Sequence, residues 1–357
     1  MKKKLTIAII IGFVSLIAGL ILAGIGLFTG GITRLEEISK PEQVEKSYTS
    51  LSTIQLEHLP YTINIKESSD HLFHVSYANP KNNTFQSLLS VKEKDGALTI
   101  SSQETEFSIQ GIMQFFGEEL AKRKIDVYSV TIEVPKDKKL DKLSSTNAYV
   151  YYYDTIHIEN IHIKEIAIEQ GGSLYLSNVQ LDSGNLSSAY MDISGSTLKN
   201  TNIYAQGERV LLYQSKLENL TIENYNQLDV IDGTLIGNNQ FIPLENRAFT
   251  VTNIDLTDSS LADVNLSIKN KLDRKKIVES MGYYYETEEE LEEAMNELNL
   301  IDESQLKHIG IFTRDQYEQL EVKQTNDNSS LTLEKKESKN KLTLEATNAT
   351  INLRTPK

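Results

Sequence analysis

From Ile156 onward the chain repeats one spacing: an apolar residue, any residue, an apolar residue, any four, an apolar residue. The instances are Ile156/Ile158/Ile163, Leu174/Leu176/Leu181, Met191/Ile193/Leu198, Val210/Leu212/Leu217, Leu228/Val230/Leu235 and Ile254/Leu256/Leu261. The third members lie 18, 17, 19, 18 and 26 residues apart, and the long step is read as a loop over 236–250. A fourth apolar residue follows five positions later in most units: Ile168, Leu186, Ile203, Ile222 and Leu266. The fifth unit breaks this, with Gln240 before Phe241. A period of about 18 is too short for paired helices and belongs to solenoids. The apolar-x-apolar start is strand alternation. One such turn cannot bury its apolar side, whereas stacked turns bury a continuous one. Two residues after the second anchor stand Asn160, Asn178, Gly195, Gln214, Asp232 and Asp258, residue types that tolerate left-handed backbone at a turn. The pattern predicts a mainly β fold: a β-solenoid, β-helix-like, over 136–270.

The cross-section is less constrained. A left-handed hexapeptide helix needs aliphatics every six residues, but from Ile163 that step lands on Glu169 and Tyr175. This argues against the acyltransferases built on that fold. A five-residue step runs over Leu176, Leu181, Leu186 and Met191 and then meets Ser196, leaving a pentapeptide-type square solenoid as the alternative.

The flanks read as strands that pair with or cap the stack. In 51–135, Ile54/Leu56, Ile63/Ile65 and Leu72 to Tyr77 alternate, and Val91 to Ile100 reads as a hairpin turning at Asp95-Gly96. Thr131 to Val134 is a strand stopped by Pro135. Three capping strands are expected in 311–357, at Leu331/Leu333, Leu342/Leu344 and Ile351/Leu353. Two helical insertions interrupt the β pattern. Residues 111–124 form an amphipathic segment with Ile112, Met113, Phe115, Phe116 and Leu120, followed by Lys122, Arg123 and Lys124. It packs on the β core or lies on the outer membrane face with its basic end toward anionic lipid. Residues 271–310 hold an acidic helix whose Thr287 and Glu290 make a capping box. Its glutamates form a solvated face, or less simply a site for a cation or basic partner.

Residues 1–33 read as a membrane anchor, joined to the rest by a linker over 34–50. Leu5 to Phe28 contains no charged residue, and as a helix it is about 36 Å long, enough for a hydrocarbon core of roughly 30 Å. Lys2, Lys3 and Lys4 precede it and Glu36 and Glu37 follow Arg34, so the N-terminus is expected in the cytoplasm and the bulk outside, single-pass. A cleaved signal peptide would have a shorter apolar run and a small-x-small site, which Gly24-Ile25-Gly26 and Thr29-Gly30-Gly31 supply poorly. Gly26-x-x-x-Gly30 matches a helix-pairing spacing common in such segments.

Composition narrows the chemistry. A formal net charge of −14 argues against a nucleic-acid partner. With no cysteine there is no disulfide, thiolate metal site or cysteine nucleophile. His157 and His162 alternate with the repeat isoleucines and should face solvent, a poor ligand pair across a turn. His58, His71, His74 and His308 lack ligand neighbours, and no hydrolase, metalloprotease or phosphate-loop motif occurs. No cofactor or metal is implied. The strongest enzymatic reading is a polysaccharide lyase or hydrolase using an outward carboxylate column, Asp192, Asp229 and Asp255, with Asp232 and Asp258 beside it. Leu211 interrupts that column, and no Arg or Lys is in register. The ligand candidates are tyrosines: Tyr149, Tyr151 and Tyr153 alternate onto one face just before the repeats, and Tyr175 stands within them, with Tyr190, Tyr204, Tyr213 and Tyr225 recurring. Such rings stack on sugars or anchor a protein partner, though tyrosine also simply favours strands. Asn-x-Ser/Thr sequons at Asn82, Asn185, Asn219, Asn265, Asn328 and Asn348 are weakly informative in a chain this rich in Asn, Ser and Thr.

Ile132-Glu-Val-Pro135, the Lys138-Lys-Leu140-Asp-Lys-Leu143 entry into the repeats and Asp95-Gly96-x-Leu98-x-Ile100 together resemble the bacterial cell-envelope "putative adhesin" β-strand-repeat family, a domain of unknown function. The resemblance implies coverage of about 50–355 and an envelope-stress or adhesin-like setting. The family supplies no catalytic residues. The few glycines in the repeat turns and the acidic helix depart from it. The combined expectation is a membrane-anchored, extracytoplasmic, non-enzymatic binding protein. Its partners would be an envelope glycan or a neighbouring membrane protein, and the alternative is the lyase or hydrolase.

Overall fold

A computed structural model describes residues 2–79, 88–103, 112–122, 125–146, 155–245, 247, 249–280, 287, 289–290 and 306–355. The chain divides into two compact units. The first comprises Met1–Glu45, Ser76–Leu89 and Ser102–Ser129 and holds three helices, α1 (Lys2–Phe28), α2 (Gly31–Ser39) and α3 (Ile112–Lys122). Helix α1 contains the apolar window Ile9–Gly26, with a mean hydropathy of 2.6 and none of it buried. The expected linker over 34–50 is instead ordered, as most of α2 and the strand Glu42–Tyr48. Helix α2 packs on α3, so closely that a Cβ on Gly117 would lie 2.3 Å from Ser39 Oγ and 3.0 Å from the Leu35 carbonyl oxygen. Of the two packings expected for 111–124, the observed partner is another helix of the same unit.

The second unit, Lys46–Val75, Ser90–Ser101 and Val130–Lys357, is the solenoid. Each coil contributes one strand to sheet A and one to sheet B, and successive coils pair in parallel. In sheet B, Leu140, Ile163, Leu181, Leu198, Leu217 and Leu235 are consecutive partners. Each is at most 1% exposed. In sheet A one inward row runs Ile63, Ile156, Leu174, Met191, Val210, Leu228 and a second runs Ile65, Ile158, Leu176, Ile193, Leu212, Val230. Burying each such side chain contributes about 1.5–3 kcal/mol, and no coil could do this without its neighbours. The turn column holds where the repeat is regular. Asn160, Asn178, Gly195, Gln214 and Asp232 have φ of 56°, 54°, 58°, 48° and 53°. Their side chains ladder as well: Asn178 Nδ2 donates to Asn160 Oδ1 at 3.2 Å and Gln214 Nε2 to Asp232 Oδ2 at 3.3 Å.

Three expectations need correction. The sixth repeat is out of step by two residues: Thr252 pairs with Leu228 and Ile254 with Val230. Leu261 and Asp258 belong to a short helix, α4 (Asp258–Ala262), rather than to an anchor and a turn. The segment 236–250 is not all loop, because Asn238–Pro243 is a strand. Its Phe241 pairs with Ile222, so the fourth apolar row, Ile168, Leu186, Ile203, Ile222, Phe241, Leu344, continues unbroken. Gly237, with φ of 63°, stacks on the Asn219 turn of the coil before, and the extra residue falls after it, between Gly237 and Gln240. Finally, the stack does not begin at 136. Lys139–Thr146 pairs in parallel with both His162–Glu169 and Thr53–Glu57, and Thr53–Glu57 pairs in parallel with Ala97–Gln103.

The ends are threaded out of sequence order. Thr53–Glu57 lies between Ala97–Gln103 and Lys139–Thr146 in sheet B. Asp95 and Gly96 make the expected two-residue turn, both with positive φ, and deliver Ala97–Gln103 into that outer parallel rung. At the other end the strands Lys341–Thr347 and Thr350–Leu353 are not terminal caps. The first sits between Asn238–Pro243 and Asn265–Lys271, and the second between Val251–Leu256 and Gly310–Thr313. Beyond them Asn265–Lys271, Asn328–Leu333 and Val322–Gln324 close sheet B by antiparallel pairing. Of the acidic insertion, helix α5 (Arg274–Ser280) buries Ile277 and Val278, and Glu290 N donates to Thr287 Oγ1 at 3.2 Å as the capping box requires. Residues 281–286, 288 and 291–305 of that segment lie outside the described residues.

Candidate functional site: the outer face of sheet A

Parallel pairing in fixed register sorts the outward side chains of sheet A into columns about 4.8 Å per step. The central column runs Asn64, His157, Tyr175, Asp192, Leu211, Asp229, Asn253, Asn352. Beside it run Thr155, Ser173, Tyr190, Arg209, Gln227. Of the four tyrosines expected to bind ligand, Tyr175 is on this face, while Tyr149, Tyr151 and Tyr153 lie outside the described residues. The Tyr175 ring stacks on His157, centroids 4.6 Å apart and planes within 10°. Tyr190 leans against it at 5.9 Å and 50°. One face of Tyr175 is therefore covered by the His157 ring, and Tyr190 makes a tilted contact with it. Tyr204 and Tyr213 are about two-fifths exposed elsewhere on the coils, at 44% and 43%. Tyr225 is wholly buried, with its hydroxyl 3.1 Å from Thr252 Oγ1, and burial raises its pKa.

The carboxylate column differs from the expected one. Asp229 faces Leu211 and Asn253, so Asp255 belongs to another position. A cation is present after all. Arg209, in the adjacent column, donates to Asp229 Oδ2 through Nε at 3.0 Å and through an Nη at 2.7 Å. Gln227 Nε2 donates to the same oxygen at 2.8 Å and Asn253 Nδ2 to Oδ1 at 2.6 Å. Asn352 Nδ2 continues the chain to Asn253 Oδ1 at 2.8 Å. Asp229 is only 6% exposed, so these four donors offset its desolvation. Sequence reasoning missed this network because Arg209 is twenty residues from Asp229. The signal that finds it is the register, which puts Arg209 opposite Gln227.

Asp255 lies at the C-terminal end of the stack. Gln316 Nε2 donates to its Oδ1 at 3.3 Å. Tyr317 is buried beneath it and accepts a hydrogen bond from Leu256 N through its hydroxyl at 2.6 Å. Burial raises the Asp255 pKa, and the nearby Asp232 charge adds to this; burial also pushes Tyr317 up to about 12. On sheet B, Lys139 and His162 both bond Asp182, whose carboxyl is held below the usual range chiefly by Lys139. Among the described residues no group of three or more His, Cys, Asp or Glu side chains is arranged to hold a metal ion. At the His157 end the strip opens into a shallow groove lined by Asn64, Lys66, Thr131, His157 and Glu159. The geometry is that of a polar strip whose hydrogen-bonding groups recur at strand spacing along sheet A.

The chain matches the model of a family described as Toastrack DUF4097 over residues 51–241, more than half its length. It is a member of that family. Among solved structures it is similar to a "putative cell adhesion protein" from Clostridium sporogenes, with 13% identity, a TM-score of 0.26, and coverage of 89% of this chain and 100% of the other. A "putative adhesin" from Bacteroides fragilis gives 11% identity and a TM-score of 0.29, covering 88% and 97%. A "putative lipid binding protein" from Parabacteroides distasonis gives 12% and 0.26, covering 61% and 91%. No curated protein matches the chain significantly.

Proposed function

We propose that this protein is a membrane-anchored, extracytoplasmic β-solenoid binding protein of the bacterial cell envelope, working by contact and not by catalysis. Helix α1 with Lys2, Lys3 and Lys4 before it supports anchoring with the N-terminus inside. The observation on which the binding reading rests is the outward polar strip of sheet A. Its Tyr175, Arg209, Gln227, Asn253 and Asn352 offer donors and acceptors at rung spacing. A polymer with many hydroxyls, an envelope glycan, fits such a face better than an apolar peptide does. Tyr213, exposed at the end of the sheet A strand that carries Arg209, would add a contact. A neighbouring membrane protein is the second partner compatible with a solenoid held close to the bilayer.

The lyase or hydrolase reading needs carboxylates available to act on substrate. Here Asp229 is engaged by Arg209, Gln227 and Asn253, and Asp255 is buried against Tyr317, which favours the binding reading. The test is co-sedimentation of the detergent-solubilised full chain with purified cell-wall sacculi. Retention is expected, weakened at least threefold by Tyr175→Ala. Absence of retention, or retention indifferent to that change, contradicts the glycan reading. A glycan-degradation assay on the same samples separates the alternative: activity abolished by both Asp229→Asn and Asp255→Asn would make the protein an enzyme.

A further inference from the structure

The two units treat apolar surface differently. C-terminal to the apolar window of α1, the large hydrophobic side chains exposed among the described residues of the first unit are Phe28 at 94%, Ile32 at 41%, Ile38 at 61%, Phe116 at 52% and Tyr128 at 49%. Among the described residues of the solenoid unit they are only Tyr204 and Tyr213. Single exposed apolar residues are ordinary, whereas a concentration of them marks a surface that meets something apolar.

Chain connectivity says what that is. Helix α2 begins at Gly31, three residues after α1 ends at Phe28. The join is tight: Gly30 has φ of 87°, and a Cβ on Gly31 would lie 2.4 Å from the Gly26 carbonyl oxygen. Nine helical residues span about 14 Å, so every side chain of α2 stays near the end of α1. Helix α3 is held against α2 at the Ser39–Gly117 contact, and Ile38 and Phe116 are the residues immediately preceding that contact in each helix. Arg34 and Lys40, both exposed, suit a headgroup layer.

We infer that α2 and α3 form a seat on the membrane surface, with Ile32, Ile38 and Phe116 entering the interfacial layer of lipid beside the end of α1. The inference rests on the reading of α1 as a membrane anchor. Its consequence is that the first unit meets the membrane through a span and a surface contact together.

The chain has no tryptophan, so one introduced Trp reports one position. The full chain is reconstituted in phosphatidylcholine vesicles with and without brominated acyl chains, carrying Ile38→Trp, Phe116→Trp or, as a further seat position, Ile32→Trp. Leu20→Trp reports the span and Tyr204→Trp the solenoid. Brominated lipid should quench Leu20→Trp and the seat variants at least twofold and leave Tyr204→Trp unchanged. Quenching of Leu20→Trp alone overturns the seat and leaves the anchor standing. Seat variants with blue-shifted emission but no quenching mean that protein, a second copy or another chain, covers the face, which also overturns the inference. No quenching of Leu20→Trp overturns the anchor and the seat with it.

Discussion

The middle and the ends of the solenoid contribute to the same two sheets but are held together differently. Between Ile156 and Leu235 each coil pairs with the coil before and after it in sequence. At both ends one rung is supplied by a distant segment. Thr53–Glu57 is inserted beside a strand more than eighty residues later, and Lys341–Thr347 is inserted beside Asn238–Pro243, about a hundred residues earlier. The middle behaves as a one-dimensional stack of nearest neighbours. The ends require long loops to close before their contacts form. A stack needs stoppers, and among the described residues Thr53–Glu57 and Lys341–Thr347 lie inside sheet B, while Ala97–Gln103 and Asn265–Lys271 lie beyond them.

Removing 341–357 is the largest way to break this comparison. It deletes the rung between Asn238–Pro243 and Asn265–Lys271. Amide exchange should lose protection in the strands Val251–Leu256, Asn265–Lys271, Gly310–Thr313 and Asn328–Leu333 while 156–235 stays protected. Uniform loss over the whole solenoid would mean that middle and ends are not separable. A smaller perturbation sits in the middle. Leu198→Ala empties part of the sheet B row and should cost about 2–5 kcal/mol in urea unfolding; a cost under about 1 kcal/mol would mean that this row is loosely packed.

The middle was readable from sequence because its two signals, apolar period and turn residue, coincide at every coil. The positive-φ positions Asn160, Asn178, Gly195, Gln214 and Asp232 were visible as a column of turn formers. The ends were not readable, because interleaving leaves no period to find. Polar substitution inside the core hid one register as well: Thr252 occupies an apolar row, tolerated because its hydroxyl meets that of buried Tyr225. An apolar template therefore slides onto Ile254 and Leu256. The functional strip was half visible. Alternation showed that Tyr175, Asp192 and Asp229 face outward, but which side chains touch depends on register, and so the Arg209–Asp229 pair was missed and Asp255 wrongly aligned. Tyr149, Tyr151 and Tyr153 lie outside the described residues.

On the strip itself, Arg209→Ala removes two of the four hydrogen bonds to Asp229 and leaves a desolvated carboxylate. A loss of about 1–3 kcal/mol is expected in thermal or urea unfolding, more than for Asp229→Asn, which keeps an acceptor. Equal effects would argue that the pair contributes nothing beyond packing. The smallest effect is at the C-terminal end and depends on pH. The native pKa of Asp255 is raised above its unfolded value by burial, so the native state holds a proton more readily than the unfolded chain. This group's contribution to stability is then favourable at low pH and declines as pH rises from the ordinary carboxylate range through the raised native value. Asp255→Asn should melt slightly higher than the parent at pH 7 and lose that part of the pH dependence. A variant less stable at pH 7 would show that the charged form is stabilised by its neighbours.

The threading of the stack is tested most directly by distances along one outward column of sheet B: Ser101, Glu57, Thr146, Glu169, Ser187, Tyr204, Glu223. The chain contains no cysteine, so pairs of introduced cysteines can be spin-labelled without background. From Tyr204→Cys, a label at Glu57→Cys is four rungs away and one at Ser101→Cys five, about 19 and 24 Å at the spacing of paired strands. The account predicts that Ser101, although nearer to Tyr204 in sequence, gives the longer distance by about one rung. A shorter distance from Ser101 than from Glu57, or distances unrelated to rung number, would contradict it.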